Sequence, residues 1–246
     1  EIFGSEPPIP VPFNPINLKG DTRKMFSSLG NLVTIDQALE FIPPEVLRYF
    51  VFKSVPSKVL EFDPGLGMYN LVDEFAATEL AVQESMPTQF EQAWKVSVLK
   101  TDEATISTIP YSHLVTTYQA ARRDTDRTIE LLRHTHPEQV VRQGEVLRRE
   151  LEYVGRWLDT GYAPEAVQFA ISEALPELAV NQEAAAFLDR LAERYPEHAD
   201  ADTVQTLIFE TAKEQDMQPR TVFTLLYHLF IQKDAGPKLG GFLADL

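Results

Sequence analysis

The sequence predicts a mainly α-helical protein with a short mixed segment at its start. Three observations carry that expectation. Apolar residues recur at helical spacing almost continuously from Pro110 onward. Capping residues and prolines mark successive helix starts. The opening stretch to Lys19 holds Pro7, Pro8, Pro10, Pro12 and Pro15, a density that forbids helix and favours extended chain.

After that extended start, Gly20 to Asn31 reads as a polar loop. Thr34 and Gln37 form a capping-box pattern that opens a helix at Ala38 and Leu39. A second helix starts at Pro43–Pro44, places Val46, Leu47 and Phe50 on one face, and stops before Pro56. Asp63 as cap and Pro64 at the first helical position introduce a third, bearing Leu66, Tyr69, Leu71, Val72 and Phe75. Trp94 to Leu99 alternates enough to be a short strand or an extended connector.

Beyond Pro110, Tyr111, Leu114, Val115 and Tyr118 mark one helix, and Ile129 with Leu132 a short second. Val140, Leu147, Leu151, Val154 and Leu158 mark the longest, with Gly161 as its expected C-cap. Ala184 to Tyr195, Thr203 to Ala212 and Val222 to Phe230 supply three more, the last started by Pro219.

Composition narrows the function. The chain has 246 residues, enough for a sizeable core, and no cysteine. That excludes a disulfide scaffold, a thiolate zinc site and a cysteine nucleophile within it. No apolar run approaches the roughly 20 residues of a spanning helix, and no signal peptide is visible. The start at Glu1, without methionine, is what a fragment or processed product would show. Lys+Arg 22 against Asp+Glu 37 gives a net charge of −15, so any nucleic-acid contact must be confined to a restricted face.

Two arginine clusters could form such a face. Arg122 and Arg123 end the helix begun near Tyr111. Arg142, Arg149 and Arg156 recur every seven residues on the longest helix, joined by Arg148, and so share one stripe. Contact with phosphates is the functional reading. From the residues alone a salt-bridged surface is simpler, because Glu145–Arg149 and Glu152–Arg156 are favourable i,i+4 pairs. Trp157, between Val154 and Leu158, reads as core. Gly65 and Gly67 read as helix-entry glycines, since no phosphate-loop lysine follows. His134, His136 and Glu138 lack a fourth metal partner and read as solvated, and no metal site is expected. Asp73 and Glu74 point in different directions on a helix, so they are not an acid–base pair.

The segment Lys24 to Asn31, KMFSSLGN, resembles the second signature loop of class I aminoacyl-tRNA synthetases, the Lys-Met-Ser-Lys-Ser type with its Gly-Asn sequel. Pro43 to Phe75 resembles the region after that loop in class I lysyl-tRNA synthetases, with a Pro-Glu-x-Leu-Arg helix, a Phe-Asp segment and a helix bearing Asp-Glu. Pro110 to Ala121 is similar to that family's first anticodon-domain helix. Gly236 to Leu246, GPKLGGFLADL, resembles its Gly-Pro-x-Leu-Gly-x-Phe signature. Lys24, Met25, Ser28, Gly30 and Asn31 match the loop pattern. Phe26 stands where serine is usual, and Ser27 and Leu29 where lysine is common.

The resemblance implies the C-terminal part of a cytoplasmic class I lysine–tRNA ligase. Residues 1–62 would finish the catalytic region, and 63–246 would form an α-helical cage for the anticodon stem-loop of lysine tRNA. The loop residues Lys24, Met25, Phe26, Ser27, Ser28, Gly30 and Asn31 would then close on ATP, with Mg expected in the parent. Lysine and small hydroxyl groups there supply donors to phosphate oxygens. The family's His-Ile-Gly-His signature, nucleotide-binding half and zinc-binding cysteines lie upstream, so this fragment alone would bind no cofactor and catalyse nothing. The rival readings are the tail of a glutamyl-group class I synthetase and a helical protein-interaction module without an RNA role. The Gly236–Gly240 signature favours lysine over the first.

Overall fold

The computed structural model describes residues 12–20, 32–101, 103–172, 181–196, 200–244 and 246. By packing, the chain divides into two compact units, Glu1–Thr105 and Ile106–Leu246. The expected functional division at residue 62 thus falls inside the first unit.

In that unit, β1 (Ile16–Leu18) pairs in parallel with β2 (Leu60–Phe62), Ile16 opposite Leu60 and Leu18 opposite Phe62. The parallel pairing needs a crossover, and α1 (Ile35–Phe41) and α2 (Pro44–Phe52) supply it. The α1 start carries the full capping box: Gln37 N–H donates to Thr34 Oγ1 at 3.2 Å, and Thr34 N–H to Gln37 Oε1 at 3.0 Å.

The third helix, α3 (Gly67–Gln83), begins later than Asp63 and Pro64 suggested. Asp63 Oδ1 accepts from Gly65 N–H at 2.9 Å, so the side chain builds a turn ahead of the helix instead of capping it. A Cβ at Gly67 would collide with that Asp63 side chain. Trp94 to Leu99 is neither strand nor connector: α4 spans Glu91–Ser97. Ala93, Trp94, Ser97 and Val98 are buried while Val96 and Leu99 are exposed, a helical and not an alternating pattern.

In the second unit, α5 (Tyr111–Ala120), α6 (Thr125–Thr135) and α7 (Pro137–Asp159) pack on one another. The expected apolar edge of α7 is the buried one: Val140, Leu147, Leu151, Val154 and Leu158. Its C-cap is Thr160, one residue before Gly161, and Thr160 Oγ1 donates to Trp157 O at 2.7 Å. Next come α8 (Gln182–Arg194), α9 (Ala201–Glu214) and α10 (Pro219–Ile231). Asn181 caps α8 through Ala184 N–H, and Asp200 caps α9 through Thr203 N–H.

A last short helix, α11 (Leu239–Ala244), escaped the sequence reading. It lies on α9, where Gly240 N–H donates to Gln205 Oε1 at 2.9 Å. A Cβ at Gly240 would overlap the Ala201 carbonyl oxygen and sit 2.8 Å from Gln205 Cβ. Phe242 is fully buried, its ring 5.4 Å from Phe169 and 6.1 Å from Phe230. The tail signature is therefore a packing device.

Gly240→Ala should destabilise this unit by about 2 kcal/mol, the usual cost of forcing a group into a closed contact. Gly144→Ala, where a Cβ meets nothing within 4 Å, should leave stability equal or higher. Paired urea melts check both.

Candidate nucleic-acid interface

The signature-loop residues Lys24, Met25, Phe26, Ser27, Ser28, Gly30 and Asn31 lie outside the described residues. Both flanks are described. On one side, Lys19 N–H donates to Phe62 O at 2.8 Å and Lys19 Nζ pairs with Asp63 at 3.0 Å. Gly20 then takes φ +84°, a left-handed turn that glycine adopts without strain. On the other side stands the Thr34 capping box. Near Lys19, a cleft of about 270 Å³ is lined by Lys53, Asp63, Asn70 and Glu74 among others. Lys53 pairs with Glu74 at 2.8 Å, and Glu74 also accepts from Tyr49 Oη at 2.9 Å. Burial first, and the Glu74 charge next among the raising causes, push the Tyr49 phenol well above its ordinary value. Glu74 thus holds both the Lys53 ammonium and the Tyr49 hydroxyl.

The arginines lie on α5 and α7. Two left-handed residues, Arg122 (φ 58°) and Arg123 (φ 62°), end α5, with Arg123 N–H returned to Tyr118 O at 2.8 Å. Arg122 is exposed. Arg123 is tied to α7 by Asp159 at 2.6 Å. Gly155 lets the two helices approach, since a Cβ there would lie 3.0 Å from Tyr118 Oη.

On α7, Gln143 departs from helical geometry (φ −123°, ψ 21°), and its Oε1 accepts from Thr108 N–H at 3.2 Å. Arg142 precedes this kink, whereas Arg149 and Arg156 follow it on one continuous helix. Arg156 pairs with Glu152 at 3.2 Å, as the i,i+4 spacing suggested. Arg148 instead reaches Asp126 of α6 at 2.6 Å. Both Arg149 and Arg156 lie against the ring of Tyr153, their Cζ atoms 5.9 and 5.4 Å from its centroid. The sequence reading missed Tyr153. The signal was an aromatic residue four positions after one arginine and three before the next. Trp157 is fully buried, a core residue as expected.

Among the described residues, no three His, Asp or Glu side chains are grouped to hold a metal ion. His136, between α6 and α7, meets the His113 ring edge-on at 5.0 Å. None of the described helices is long and apolar enough to cross a membrane.

Comparison with known proteins gives this arrangement its context. Residues 1–101 match the family described as tRNA synthetases class I (K). The whole chain aligns with lysine–tRNA ligases: 33% identity over 248 residues with that of Archaeoglobus fulgidus, 33% over 250 with that of Thermoplasma acidophilum, and 30% over 258 with that of Thermococcus kodakarensis. Each alignment takes 100% of this chain but only 47%, 48% and 49% of the relative, so the chain spans about half their length. The chain is thus similar along its whole length to lysine–tRNA ligases, and its first 101 residues are similar to the class I tRNA synthetase family.

Burial holds the His113 imidazole below its ordinary value of 6.5. The folded state then binds fewer protons than the unfolded one, so His113 costs stability as pH falls below about 6.5. The slope for a single proton is at most about 1.4 kcal/mol per pH unit. His113→Gln should flatten the decline in urea-melt stability between pH 7 and 5.5.

Proposed function

We propose that the intact protein is a cytoplasmic lysine–tRNA ligase. It would couple lysine and ATP to lysyl-adenylate, with Mg, and transfer lysine to the terminal ribose of its tRNA. The alignment of the entire chain with lysine–tRNA ligases is the observation that carries this reading. Residues 1–62 would complete the catalytic region, and 63–246 would bind the anticodon stem-loop. Because the matched relatives are about twice as long, the catalytic N-terminal half would be supplied by sequence outside this chain.

In this reading Lys24 and the Ser27 and Ser28 hydroxyls face the pyrophosphate, where charge develops as the adenylate forms. Met25, Phe26, Gly30 and Asn31 shape the loop that brings them there. Arg142, Arg149 and Arg156, with Arg122 and Arg123, meet tRNA phosphates. Arginine suits that task because its planar fork matches phosphate oxygens. Single-stranded anticodon bases would be read by stacking and edge hydrogen bonds.

Four measurements test the proposal. Residues 1–246 alone should show no lysine-dependent ATP–pyrophosphate exchange, whereas the intact protein should charge lysine tRNA and not glutamate tRNA. In the intact protein, Lys24→Ala should lower the activation rate by about 10²-fold with little change in lysine KM, as for loss of one preorganised donor. Replacing Arg142, Arg149 and Arg156 together by alanine should flatten the slope of log K against log salt for tRNA binding by roughly 2. An unchanged slope would leave those arginines as partners of neighbouring glutamates only.

A further inference from the structure

The arginines are not spread evenly over the chain. Residues 106–161 hold eight of the 13 arginines and no lysine, against eight carboxylates, so this stretch is neutral in a chain of net charge −15. The acidic excess therefore lies entirely in the remaining residues. A polyanion approaching α5–α7 therefore meets no net negative charge within that stretch. Several of the eight carboxylates are already committed. Glu150 is buried and accepts from Ser107 N–H at 3.0 Å, and Asp124 caps α6 through Arg127 N–H. Asp126 and Asp159 hold Arg148 and Arg123.

Within this region Arg149, Tyr153 and Arg156 form a ladder on one helix face, with both guanidinium groups within 6 Å of the ring centroid. The seven-residue separation puts their Cα atoms about 10.5 Å apart along the axis. Packing against one aromatic ring restricts two otherwise flexible side chains before any ligand arrives. Arg156 keeps 53% of its side chain exposed while sharing Glu152, itself 63% exposed. An exposed carboxylate of this kind is readily exchanged for a stronger anion.

We infer that Tyr153 is a positioning residue for RNA: it holds Arg149 and Arg156 in register for two phosphates of one tRNA strand, and Glu152 is the carboxylate those phosphates displace. This rests on the tRNA-binding reading above and adds to it a residue and an exchange. Tyr153 contacts the arginines, not the reacting atoms.

The test is a salt titration of lysine-tRNA binding to residues 1–246 by fluorescence anisotropy, with a thermal melt of each variant. Tyr153→Leu should weaken binding at low salt by about fivefold, the worth of two exposed cation–π contacts, and Tyr153→Phe should restore it. Glu152→Gln should tighten binding by about threefold by removing a like charge from the phosphate path. A ladder that merely stiffens α7 predicts the opposite pattern: both replacements lower the melting temperature and neither moves affinity. That result overturns the ladder while leaving the tRNA reading intact. Should Tyr153→Leu fail to fold, Glu152→Gln decides alone, and unchanged affinity in it refutes the exchange. Absence of tRNA binding by the unaltered chain refutes both the ladder and the tRNA reading.

Discussion

The burial of one edge of α7 is the constraint on which the second unit depends. Leu147, Leu151, Val154, Trp157 and Leu158 occupy the inward stripe, and Glu150 joins them with its carboxylate receiving the Ser107 amide. Once that stripe is fixed, helical geometry alone dictates which residues face water. Glu152 and Arg156 are exposed, and Arg149 and Tyr153 half-buried beside them, because their neighbours take the core. The surface chemistry of α7 is thus the complement of its core, and rotating the helix to alter one would break the other.

Much of this was legible in the sequence. The Thr34–Gln37 capping box, Pro44 at the head of α2 and the apolar edge of α7 all follow local rules that tertiary packing did not override. The failures have physical causes. Trp94 to Leu99 carries apolar residues at both period-two and helical positions, and only the partner that buries Trp94 resolves the ambiguity: its Nε1 donates to Glu79 at 3.3 Å. The short α11 contains two glycines, which disfavour helix, and it exists because α9 offers a surface they fit. Asp63 carried a correct cap signature but spent it on a turn.

For the candidate site the balance differs. The family loop could be recognised from its motif, since a short signature needs no three-dimensional context. The arginine stripe could be listed from spacing, but its division could not: the kink at Gln143 depends on an amide from Thr108, 35 residues away. Tyr153 was passed over for a related reason, although its spacing from the two arginines was there to read. Charge counting registers arginines and glutamates, whereas a neutral ring that organises them contributes nothing to the sum. Evenness of charge along α5–α7 emerges only when residues are grouped by the helices that carry them.

The glycine contact between α11 and α9 bears on how the second unit acquires its structure in time. Ala120, at the end of α5, shares a core with Leu239 and Phe242, so that core joins positions more than a hundred residues apart. Helix pairs close in sequence, such as α6 with α7, need little chain ordering to meet. The clasp at Gly240 belongs to the contacts that reward the chain last. Loosening it should accelerate unfolding far more than it slows folding, a split that the two arms of a chevron plot would register. The tail signature then governs how long the unit stays folded rather than how quickly it gets there.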